Sequence, residues 1–192
     1  MERMLAVSDA IDGVLYRVAM FVGWLFVACT LVITFDVLSR KFGFQMPGMG
    51  STRLQELEWH MHTGLFAFWL GIAYVKNAHV RIDVAYINAQ PRTIVWAEFL
   101  GCLIFAVPYL LFAIYFSVDF TWISWVDMEG SASSNGLPYR WIPKSFITIG
   151  LIMLLAGVIS VWFRTVVYLW GAERLRDRAC IDVIKHHHGG VV

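Results

Sequence analysis

The chain is 192 residues long, 59% hydrophobic and only 15% charged, with a formal net charge of +1. Soluble domains carry roughly a quarter charged residues, so a water-covered surface is excluded and a membrane is indicated. The near-zero charge offers nothing to nucleic acid, and three scattered cysteines, Cys29, Cys102 and Cys180, make neither a disulfide framework nor a metal-ligand spacing.

In chain order, Met4, Val7, Ile11, Val14, Leu15 and Val18 come first, at steps of three and four. Glu2, Arg3, Ser8, Asp9 and Asp12 fall between them. Two readings fit: an amphipathic helix over 1–17 lying at the inner membrane interface, or an extension of the first span. Apolar runs long enough to cross a bilayer, which needs about 20 residues, follow near 18–38, 57–75, 94–118 and 145–166. Phe26-Val27-Ala28-Cys29 resembles a lipoprotein cleavage box. Acids precede the run, however, and it continues past Cys29, so a retained helix is expected.

The cations flanking these spans divide ten to five. The larger set holds Arg3, Arg17, Lys76, Arg81, Arg92, Arg164 and the Arg174–Lys185 tail, which places both termini in the cytoplasm. The fold expected is therefore an all-α, four-span, N-in/C-in membrane protein forming a single membrane domain, with a cytoplasmic tail over 171–192.

Between the first two spans "FGFQMPGMGST" reads as an outer loop broken by Pro47, Gly48 and Gly50. Thr52 with Gln55 makes a capping box for the second helix. Gly64, Ala67 and Gly71 share one face of that helix, where small residues allow close approach and leave room for a partner; Gly150 and Gly157 do the same in the fourth. Pro108 is the one candidate kink in the third span. "DMEGSASSNGLPYRWIPK" is a second outer loop, with Pro143 in the first turn of the last long helix. Trp59, Trp96, Trp141 and Trp162 fall near span ends, as an aromatic belt requires.

A transport path needs ionisable residues or broken helices at mid-membrane. Asp36, Glu56, Glu58, Glu98 and Arg164 all fall near span ends instead. His60 and His62 stand two apart on one helix and point to different sides of it, so they do not provide axial ligands for haem. There is no HExxH, GxSxG or P-loop; no enzymatic activity and no cofactor are expected. Glu56 is placed to pair with a cation on a neighbouring helix or subunit, and Glu58 reads as an interfacial charge. In the inner turn Arg81 faces carbonyls or lipid phosphates, and Asp83 caps the stretch that follows.

These motifs resemble the small membrane subunit of tripartite ATP-independent periplasmic (TRAP) transporters, the DctQ-like family. The likeness runs from about Val14 to Trp170. It rests on Glu56-Leu57-Glu58-Trp59-His60, His79-Val80-Arg81-Ile82-Asp83 and Gly136-Leu137-Pro138-Tyr139-Arg140-Trp141. Where members often carry two adjacent acids, this chain has Gln55-Glu56. The resemblance implies a scaffold in a bacterial inner membrane. It packs beside a large transport subunit that moves an organic acid with sodium, delivered by a periplasmic binding protein. Glu56, Glu58, Trp59, Gly64, Ala67, Gly71, His79, Arg81, Asp83, Pro138 and Arg140 then serve structure and subunit contact. A membrane anchor of a quinone-linked respiratory enzyme is the alternative reading.

Overall fold

The computed structural model describes residues 1–44, 48–79 and 89–181. Arg81 and Asp83, Pro47 and the tail from 182 on lie outside the described residues. Among the described residues the chain is helical, with no strand. The order is α1 (Glu2–Val22), α2 (Trp24–Phe42), α3 (Ser51–Val75), α4 (Pro91–Gly101), a π-helical turn (Cys102–Ala106), α5 (Val107–Val126), α6 (Trp141–Trp170) and α7 (Glu173–Ala179).

Three stretches are long and apolar enough to cross a membrane: Glu2–Phe42, Pro91–Val126 and Trp141–Trp170. The sequence predicts a fourth, and α3 is indeed helical there. Its first half, however, carries Arg53, Glu56, Glu58, His60 and His62, which sets it apart from the other three.

Contacts divide the chain into two compact units. The first gathers Met1–Arg17, Leu70–Phe112 and the stretch from Ile152 on; the second gathers Val18–Trp69 and Ala113–Leu151.

In the first unit, α1 turns Leu5, Ser8 and Leu15 inward while Val7 and Val14 stay exposed. The buried stripe is thus displaced from the apolar stripe read in the sequence. The reason is that Ser8 pairs with Ser160 of α6, hydroxyl to hydroxyl at 2.7 Å, so this polar residue is wholly enclosed. Leu5 packs with Val167, Leu175 and Ala179, which ties α7 into the same core. Here α3 and α6 meet backbone to backbone. A Cβ on Gly71 would lie 2.6 Å from the Met153 carbonyl oxygen, and one on Gly157 2.7 Å from that of Gly71. α3 ends with Asn77 in the left-handed region (φ 53), and the Ala78 N–H returns to the Ala73 carbonyl at 2.8 Å. Asn tolerates that conformation better than most residues, so it serves as the helix stop. The third span departs from regular α-helix just before Pro108, the candidate kink of the sequence. Proline removes a donor and crowds the carbonyl four residues back, and the chain widens into the π-turn just before it.

In the second unit, α1 passes into α2 through Gly23, whose backbone stays helical at φ −53. The Ala19 carbonyl accepts both the Gly23 N–H and the Trp69 indole N–H, each at 2.9 Å. Gly150 sits against Ala67, where a Cβ would lie 2.6 Å from the Ala67 carbonyl oxygen; Gly64 lies under the Phe146 ring. The small-residue face of α3, read in the sequence as room for a partner, is therefore filled by α6 of the same chain. The reason is that Gly150 and Gly157 present an equally small face to it, and close backbone approach maximises van der Waals contact where no hydrophobic driving force operates.

Candidate functional site

A dense polar arrangement among the described residues lies in the second unit and is built on Glu56, one turn into α3. Its carboxylate accepts the Ser131 hydroxyl on one oxygen and the Leu137 backbone N–H on the other. The Arg140 guanidinium stands 3.7 Å away. The Ser131 bond first, then the Leu137 N–H and the nearby cation, hold this carboxyl below the ordinary glutamate range. Thus the cation that Glu56 meets comes from the loop between α5 and α6 of its own chain.

Gly136 makes the arrangement possible. A Cβ there would sit 2.1 Å from Ser131 Oγ and 2.6 Å from Glu56 Oε2, distances no side chain tolerates. Around this point the loop is crosslinked by main-chain bonds, Ser131 N–H to the Leu137 carbonyl (3.1 Å) and Arg140 N–H to the Glu129 carbonyl (2.9 Å). Arg53 donates to the carbonyls of Asn135 (3.2 Å) and Gly48 (2.6 Å), which fastens two loops to the start of α3. Glu129 pairs with Lys144, whose ammonium holds that carboxyl below its usual value. Lys144 also lies over the Phe120 ring at 3.9 Å. The loop enters with Met128 and leaves with Tyr139 in left-handed conformations (φ 48 and 65). Non-glycine residues hold these only where the surroundings over-determine them.

The other residues singled out in the sequence separate into distinct roles. The Trp59 and His60 rings lie tilted against each other with centroids 4.0 Å apart, and the Arg140 guanidinium stands over the Trp59 ring at 6.0 Å. His60 Nδ1 faces the Glu56 carbonyl, so that nitrogen must carry the proton. Glu58 joins a neighbouring group, with one carboxylate oxygen buried and unbonded. There Asp36 of α2 is wholly buried, accepts the Ser51 hydroxyl at 3.0 Å and is gripped by Arg40 at 2.6 Å. Gln55 donates to Ser51 Oγ. The start of α3 is therefore held by Asp36 and Ser51 rather than by the Thr52–Gln55 box, because helix already begins at Ser51 and Thr52 is exposed inside it. Pro138 is exposed between Leu137 and Tyr139.

In the first unit, His79 lies beside Tyr74 with centroids 6.2 Å apart. The Tyr74 hydroxyl donates to Glu98 at 2.6 Å and meets Cys102 Sγ at 3.2 Å, on the edge of the π-turn. Arg164 bridges Asp9 (2.7 Å) and Asp12 (2.8 Å), and Arg178 takes the other Asp9 oxygen at 2.6 Å. Sequence reasoning placed Asp9, Asp12 and Arg164 near the membrane edge without pairing them, since about 150 residues separate the partners and no local pattern links them.

The fold and these sites define a class: an all-helical membrane protein whose fixed charges mostly close on its own chain, in clusters that pin loops and helix ends. Residues 29–167 match the DctQ component of the tripartite ATP-independent periplasmic transporters. That is more than half of the chain, and the protein belongs to this family, the small permease subunits of TRAP transporters. No curated protein and no solved structure matches it.

Proposed function

We propose that the chain is the fixed scaffold subunit of a TRAP transporter in a bacterial inner membrane. It packs beside a large subunit that takes up an organic acid with sodium, and a periplasmic binding protein delivers the acid. The observation that carries this reading is the family match, and the self-contained pairing of Glu56, Asp36 and Arg164 supports it. Groups committed to neighbours in this way are poor carriers of a moving ion. We further propose that α3 is the fourth crossing. Its apolar part near 57–75 extends roughly 28 Å at 1.5 Å each, close to a hydrocarbon core of about 30 Å. The ten-to-five division of cations supports cytoplasmic termini.

Reconstituted alone with a sodium gradient, the chain should give no uptake of any organic acid. With the large subunit and the binding protein, uptake should depend on sodium and not on ATP. Uptake by the chain alone would refute the scaffold assignment. For the topology, a cysteine at Ser134 should label from the periplasm and one at Asn77 should not.

A further inference from the structure

Two helices present broad apolar faces away from the rest of the chain, and they treat their polar residues differently. On α2 the exposed face carries Leu31, Ile33 and Val37 with two threonines, Thr30 and Thr34. Each threonine donates to its own helix four residues back, at 2.8 and 2.7 Å, so nothing polar is left unmet. The acid of α2, Asp36, is turned inward and paired. Such a face is at ease in lipid.

The exposed face of α5 is not. Its inward stripe is Leu110, Ser117 and Ser124. Asp119, two residues beyond Ser117, stands about 200° round the helix from it, pointing away from the chain. It is exposed and makes no hydrogen bond or ion pair with any described residue. Around it at steps of three and four lie Tyr115, Phe116, Trp122 and Ile123, all more than half exposed. Asp119 also falls within a stretch apolar enough to cross a membrane, one turn before Trp122. A carboxylate in such a stretch, with an aromatic surround and no partner among the described residues, is costly wherever hydrocarbon reaches it, and such residues face a protein or a water-filled space.

We propose that this face of α5 is where a membrane helix of the large subunit docks, with a lysine or arginine on that helix meeting Asp119. The inference rests on the scaffold reading above and adds which face is used and what charge must oppose it. The aromatic surround suits the same occupant, since a cation settles against ring faces as well as against the carboxylate.

The test is made on the complex. A photoreactive residue at Phe116 or Tyr115 should crosslink to the large subunit, within an apolar segment containing a lysine or arginine. One at Leu31 on α2 should crosslink to lipid alone. Asp119→Lys should lower the large subunit retained on purification at least about tenfold, equivalent to about 1.4 kcal/mol, while Asp119→Glu retains it. The isolated Asp119→Lys chain should melt like wild type, and if it does not, the crosslinks decide. Crosslinks to the large subunit from Leu31 and not from α5 would overturn the inference and leave the scaffold reading intact. Lipid-only crosslinks from α5 would do the same, and would assign Asp119 to lipid head groups. If the wild-type chain retains no large subunit at all, the scaffold reading itself fails.

Discussion

In the second unit a single carboxylate, Glu56, gathers a hydroxyl, a backbone N–H and a guanidinium from one loop, with its side chain only 12% exposed. In the first unit Asp9 and Asp12 are shared between Arg164 and Arg178, and Asp9 and Arg178 are 43% and 63% exposed. Both arrangements join segments far apart in sequence. They differ in what removing one member leaves behind. Near Glu56 an amide and a guanidinium would be stranded where little water reaches, whereas beside Asp9 solvent can take over. Burial, more than the number of ion pairs, decides which of the two is structural.

The comparison breaks most sharply at Glu56. Glu56→Ala should destabilise the chain in detergent by about 3 kcal/mol, the cost of leaving buried partners unpaired, read as a lowered melting temperature and greater protease sensitivity at the 129–140 loop. An unchanged melt would mean that the loop is held by its backbone bonds alone. Acid should act in the same direction. The Glu56 carboxyl sits below the ordinary glutamate range when folded, so its stabilisation is present above the unfolded value of about 4.3 and is lost as pH falls through the folded value. The difference in melting temperature between wild type and Glu56→Gln should therefore be constant near neutrality and shrink below about pH 4.

Gly136→Ala leaves every charge in place and asks whether geometry alone suffices. Its Cβ would collide with Ser131 and Glu56, and a loss of about 2 kcal/mol is expected, with the loop, not the helices, opening to proteolysis. In the first unit, Arg164→Ala should cost about 1.5 kcal/mol, since this guanidinium is only 16% exposed and bonds Asp9, Asp12 and the Arg178 carbonyl. Arg178→Ala should cost at most about 0.5 kcal/mol and become silent at high salt. If Arg178→Ala proved as damaging as Glu56→Ala, the distinction drawn from burial would be lost.

Several of these contacts could be foreseen and several could not. The departure from α-helix just before Pro108 was legible because proline acts on its own helix. That Gly64, Ala67 and Gly71 share a face follows from helical spacing alone, but α6 as the helix that fills it required the structure. The capping box was misplaced because the helix already begins at Ser51, whose hydroxyl answers to Asp36, fifteen positions earlier. The inward stripe of α1 was displaced because a serine can be buried once another hydroxyl meets it, as Ser160 does.

What the sequence alone determined is where helices form and that they belong in a membrane. Long apolar runs with charges confined to their ends specify this locally, through backbone hydrogen bonds that each helix satisfies for itself. What only the tertiary structure decided is which partner each polar group finds. Glu56 meets a loop 75 to 81 residues away, Asp9 meets α6 and α7, and Asp119 meets nothing among the described residues. Pairings of that kind depend on how helices pack face to face, and sequence periodicity says which residues share a face without saying what lies opposite.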